Sequence, residues 1–171
     1  MRRRIALAAL AVAALGLAAL PSFAAEGDEN SAALAKALAQ AKVSLERGLK
    51  ASAREGKPIS GKYEIEDGAL QLSIYTAKRG QFSEIIVDHT SGTIKKKEKI
   101  TDGDDLKDAK EQSQAMAKAK ISLDNAVARA VKANRGYRAV GVVPVLEDAK
   151  PVAEVTLVKG EAFKKVLQKL D

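Results

Sequence analysis

The residues best equipped for chemistry stand close together: Asp88, its neighbour His89, which is the single histidine of the chain, and the run Lys95-Lys96-Lys97-Glu98-Lys99. An aspartate beside a histidine can ligate a metal, but a metal site draws on three or four converging ligands, and the sequence offers only this pair. A serine–histidine–acid relay calls for a nucleophile elbow, and no segment resembles one. Thiol chemistry is excluded because there is no cysteine. The segment Asp88-His89-Thr90-Ser91-Gly92 reads instead as a turn. Its aspartate caps backbone N–H groups two residues on, and Gly92 supplies a positive φ. No catalytic residue, metal ligand or cofactor site is assigned, and the chain is expected not to be an enzyme.

Asp102, Asp104 and Asp105 have the look of a calcium loop. Counting from Asp102, however, places Lys107 where an EF-hand needs glycine and Ser113 where it needs the bidentate acid, so that reading fails. Thr101 to Asp105 then reads as a polar, turn-rich linker. The lysine run Lys95, Lys96 and Lys97 suits an anionic partner. It better suits an exposed edge strand whose charges block sheet-to-sheet aggregation, and the same edge can instead recruit an extended peptide by strand addition.

Met1-Arg2-Arg3-Arg4, an apolar run from Ile5 to Leu20 and Pro21-Ser22-Phe23-Ala24 form a signal-peptide layout, with cleavage expected between Ala24 and Ala25. The apolar run is shorter than the roughly 20 residues that a spanning helix needs. The mature chain is therefore expected in the periplasm or secreted, with no stable membrane insertion. The whole chain carries a net charge of +7, and loss of three arginines and no acids leaves it only mildly basic. With export, that makes nucleic acid an improbable partner. Without disulfides, stability must come from packing.

An internal repeat organises the rest. Ala41-Lys42-Val43-Ser44-Leu45-Glu46 recurs as Ala119-Lys120-Ile121-Ser122-Leu123-Asp124, which points to duplication of one structural unit. Ser44 and Ser122 have the chemistry of helix N-caps, with Glu46 and Asp124 at the positive helix ends. Leu45, Leu49 and Ala53, and Leu123, Val127 and Val131, recur at helical spacing and should be buried. Alternating strands follow each helix, with hairpin turns expected at Asp67-Gly68, Arg79-Gly80 and Glu147 to Lys150. Alanine-rich helices are expected over Ser31 to Lys42 and Leu106 to Ala119.

Capped helix, Asp-Gly hairpin and the closing segment Val87-Asp88-His89-Thr90-Ser91-Gly92-Thr93-Ile94 together resemble the PepSY domain, over Ala41 to Ile100 and Ala119 to Asp171. The resemblance implies an α+β fold of two PepSY-like units, each a helix packed on an antiparallel sheet of three to four strands. It divides the chain into a signal peptide (1–24), a first unit with an N-terminal helix (25–100), a linker and helix (101–118) and a second unit (119–171). After Gly160 the second copy has neither the aspartate-to-glycine turn nor the final strand. Its sheet is expected to be a strand short or completed by the first copy.

By resemblance the function is a non-enzymatic protein-binding module, regulating or inhibiting a secreted or envelope peptidase, or binding another protein, as a monomer or homodimer. The partner surface is expected at Asp88, His89, Gly92, Lys95, Lys96 and Lys97. A reading of a different class is an envelope sensor that binds a small ligand or a metal in the cleft between the copies; a third is a structural envelope protein without a ligand.

Overall fold

The computed structural model describes residues 28–171; the expected signal segment, with the cleavage expected between Ala24 and Ala25, lies outside them. The chain runs α1 (Asp28–Ala37), a 3-10 turn (Leu38–Gln40), α2 (Leu45–Ser52), β1 (Lys57–Glu66), β2 (Ala69–Lys78), β3 (Gln81–Val87) and β4 (Ile94–Ile100). It continues through α3 (Gly103–Lys118), α4 (Leu123–Ala133), β5 (Arg138–Glu147), β6 (Lys150–Lys159) and β7 (Ala162–Lys169). This is an α+β fold with one antiparallel sheet of seven strands in the order β4-β3-β2-β1-β5-β6-β7. The strands expected in two groups thus lie in one continuous sheet, joined where β1 meets β5 at Gly61↔Val142 and Lys62↔Gly141.

The two halves of this sheet are built alike. Two-residue hairpin turns need consecutive left-handed residues so that the turn matches strand twist. Asp67 and Gly68 (φ 49° and 76°), Arg79 and Gly80 (54° and 76°) and Asp148 and Ala149 (47° and 63°) all provide them. A bulge interrupts β1 between Pro58 and Ser60, and another interrupts β5 between Ala139 and Gly141. The extra residues, Ile59 and Val140, are both buried. Along the strands Lys57 corresponds to Arg138, Ala69 to Lys150 and Gln81 to Ala162, one constant offset. The helices follow a shorter offset because α4 has 11 residues where α2 has 8.

Helices α2 and α4 lie side by side on one face of the sheet. Leu45, Leu49, Leu123, Ala126, Val127 and Ala130 are buried against Leu72, Ile74, Ile85, Val142 and Val155. Gly48 allows the close approach, since a Cβ there would stand 2.8 Å from Leu72 Cδ2. Ala53, expected in the stripe, is exposed because α2 ends at Ser52 and Ala53 is its C-cap. Ser44 caps α2 by accepting from the Arg47 N–H at 3.3 Å. Ser122 makes no side-chain cap bond to α4, a correction with a local cause: its hydroxyl accepts instead from Asn125 Nδ2 at 2.9 Å.

Helix α3 crosses the opposite face. Side chains alternate along a strand, so Ser60 points away from α2 while Gly61 faces Leu45 and Leu49, and the Ser60 hydroxyl donates to Gln112 Oε1 at 2.6 Å. The helix starts at Gly103, so the segment read as a linker shrinks to Thr101 and Asp102. Asp104 and Asp105 belong to the first helical turn, where the macrodipole favours acids. Among the described residues no helix is long and apolar enough to cross a membrane.

Candidate functional site

The segment between β3 and β4 folds as a closed turn. Asp88 Oδ1 accepts from the N–H groups of Thr90 and Ser91, both at 2.8 Å, and the Asp88 carbonyl accepts from the Gly92 N–H at 2.8 Å. Lys95 Nζ stands 2.9 Å from Asp88 Oδ2. The Ser91 N–H, the Lys95 ammonium and the Thr90 N–H together hold the Asp88 carboxyl well below the usual carboxylate range. Gly92 has φ +83°, as its place in the turn requires, and a Cβ there would lie 3.0 Å from Arg47 Nε.

The turn is tied to the helical layer. The carbonyl of His89 accepts from the N–H groups of both Lys42 and Val43 at 2.9 Å, and Arg47 Nη2 donates to the Ser91 carbonyl at 2.9 Å. These bonds hold the segment leading into α2 against the end of β3. In the second half the carbonyl of Leu170 takes the same place, accepting from Lys120 at 2.7 Å and Ile121 at 3.0 Å. The imidazole of His89 has one neighbour of note, Thr90 Oγ1 at 3.5 Å from Nδ1. Among the described residues no three histidine, cysteine or acidic side chains group in a way that could hold a metal ion.

The lysines do not converge. Lys96 pairs with Ile86 across the strands and Lys97 with Ile85, so they point to opposite faces of the sheet. Each has its own acid: Lys96 meets Glu98 at 2.7 Å and Lys97 meets Glu55 at 3.1 Å. Asp88, Gly92 and Lys95 therefore form one cluster, while His89 contributes its backbone and Lys96 and Lys97 stand apart.

Two further surfaces carry residues that the sequence reading did not name. A cavity of about 210 Å³ opens between β1, β5 and α3, lined by Ser60, Lys62, Tyr75, Asp105, Asp108 and Gln112 among others. Burial, followed by the charges of Glu84, Glu64, Asp105 and Glu66, pushes the Tyr75 phenol well above its ordinary range. No local signal marks this cavity, because α3 reaches it only by crossing the sheet. The other surface is the outer edge of β7, whose only neighbour among the described strands is β6.

No protein-family profile, curated protein or solved structure matches this chain.

Proposed function

We propose that the chain is a non-enzymatic, exported protein-binding module of two PepSY-like units, acting in the periplasm or outside the cell and restraining a peptidase or binding another protein. The observation that carries this reading is the sheet itself. Two parallel sets of elements converge on one rigid sheet whose outer strands, β4 and β7, each leave a backbone edge open among the described residues. Unpaired backbone groups at a sheet edge are a ready template for an extended chain, and peptidase substrates and autolysis loops are extended chains. The Asp88 to Gly92 turn supports the reading through its position, since it orders the start of β4 and anchors α2.

The test is to titrate the full mature chain into purified secreted metallopeptidases and peptidases from the native envelope fraction, following cleavage of a small fluorogenic substrate. Stoichiometric inhibition with a complex that survives size-exclusion chromatography is the expected result. Undisturbed cleavage with no complex would remove the peptidase assignment.

A second reading, a small-ligand sensor, is favoured by the cavity at the junction of the two halves, with its half-buried phenol and neighbouring amide and carboxylates. Ligand-dependent thermal stabilisation that Tyr75→Phe or Gln112→Leu abolishes, without any protein partner, would select it.

A further inference from the structure

Strand β7 stands where β3 stands in the other half. Each is the third strand of its half, and each leads to a carbonyl, of His89 or of Leu170, that receives two N–H groups from the segment ahead of its helix. β3 carries β4 on its outer side, antiparallel, from Phe82↔Ile100 to Val87↔Ile94. β7 is held along its whole length by β6, from Val152↔Lys169 to Lys159↔Ala162, and has no described strand on its outer side. The edge is thus pre-ordered in the geometry that accepts a further strand in the first half.

The charges of the two edges differ in a way that selects an occupant. On β4, Lys95, Lys96 and Lys97 each face a carboxylate of this chain, from Asp88, Glu98 and Glu55. On β7, Lys164, Lys165 and Lys169 share a strand without an acid. Lys165 meets Glu154 at 3.2 Å, whereas Lys164 donates to the neutral amide oxygen of Asn134 at 2.7 Å. Lys169 has no carboxylate within 4.0 Å among the described residues. A second copy would bring lysines of its own β4 or β7 against these, which like-charge repulsion disfavours. An acidic strand would relieve that repulsion. Leu167, 53% exposed, and the half-buried Phe163 add apolar contact on the face they share with Lys165 and Lys169.

We infer that the outer edge of β7 binds an extended acidic peptide segment as an eighth strand, antiparallel to β7, in the place that β4 holds beside β3. The inference rests on the protein-binding reading above and names its surface and the chemistry of its partner. Main-chain hydrogen bonds supply the pairing, and glutamates or aspartates set against Lys164, Lys165 and Lys169 supply the selection.

The experiment titrates the full mature chain with three synthetic peptides matched to the eight residues of β7. One alternates glutamate and valine, one alternates lysine and valine, and one is the glutamate peptide with a central proline. Hydrogen exchange reports where protection appears. The glutamate peptide alone should bind and slow exchange in β7. The double variant Lys165→Glu/Lys169→Glu should weaken it about tenfold or more, while Lys99→Glu/Lys110→Glu, away from β7, leaves it unchanged; all four side chains are exposed, and the one surface ion pair lost, Lys165–Glu154, contributes little to folding. Protection at β4 instead of β7, equal binding of the lysine or proline peptide, or no binding would overturn the inference. Peptidase inhibition that survives Lys165→Glu/Lys169→Glu would also overturn it while leaving the protein-binding reading standing. Glutamate-peptide binding at β7 without inhibition of any peptidase would support the edge and remove the peptidase.

Discussion

Lys57 Nζ donates to the main-chain carbonyl of Met116 at 2.6 Å, and the corresponding residue of the other half, Arg138, donates through Nη1 to the carbonyl of Leu38 at 2.9 Å. Each cation opens a central strand, β1 or β5, and reaches a helical segment that belongs to the opposite half. The pair therefore ties the halves together reciprocally, beyond the short β1–β5 pairing. Arg138 does more than Lys57, since it also reaches the Val43 carbonyl at 3.4 Å and lies 5.6 Å from the centre of the Tyr63 ring.

Arg138→Met should accordingly cost about 2–3 kcal/mol and Lys57→Met about 1.5 kcal/mol, the usual scale for hydrogen bonds to charged groups. Urea unfolding at neutral pH measures both. Equal and negligible losses would show that the shared core and the β1–β5 pairing hold the halves without these bonds.

Asp88 links stability to acid pH. A carboxyl whose folded pKa is depressed stabilises the fold above its unfolded value, about 3.9, and that contribution disappears as pH falls through the folded value. Because the Ser91 N–H, Lys95 and the Thr90 N–H lower it, Asp88→Asn should melt below the wild type at pH 7. The gap should stay constant down to about pH 4 and close progressively below it. Melting curves across that range decide the matter, and a gap independent of pH would assign the effect to turn geometry instead of charge.

Two left-handed positions should respond with opposite signs. Ala149, at φ 63°, occupies the turn place that Gly68 fills in the first hairpin, and carries the penalty of a Cβ in that region. Ala149→Gly should stabilise the protein by roughly 0.5–1 kcal/mol after the entropic cost of glycine is deducted. Gly92→Ala should lose about 1–2 kcal/mol and also displace the Arg47 guanidinium that lies over the turn. Thermal or chemical denaturation of the two variants checks the signs.

Tyr63 contributes to the alkaline limit. Its hydroxyl donates to the Val43 carbonyl, and burial pushes its pKa up to about 12 against the opposing pull of Arg138. A raised folded value means that the unfolded chain releases this proton first, so the stabilisation is complete below about pH 10 and is lost as pH rises towards 12. Stability should fall across that window, and less steeply in Tyr63→Phe. Ultraviolet titration should show the phenol ionising late in the folded protein.

Several parts of this architecture were legible because they depend on neighbouring residues alone. Asp67-Gly68 and Arg79-Gly80 declare left-handed turns, Leu45 and Leu49 declare a helical face, and the repeated Ser-Leu-acid segment declares two related helix starts. Asp88 and Gly92 were readable as a turn for the same reason, since an aspartate cap and a positive φ are local demands. Ser122 shows the limit of such reasoning: the same residue type in the same repeat position lost its cap to Asn125, a competitor absent from the first copy.

What only the tertiary structure decided are relationships between segments distant along the chain. The meeting of β1 and β5, which makes one sheet of two groups of strands, depends on Gly61 and Gly141 lying opposite Val142 and Lys62. The path of α3 across the far face creates the cavity at Tyr75 and Gln112, and Glu55, the partner of Lys97, comes from the turn after α2. Local sequence carries backbone preference and periodicity, but pairing and ion-pair choice follow from which surfaces share a common core, and that is settled only when the chain has packed.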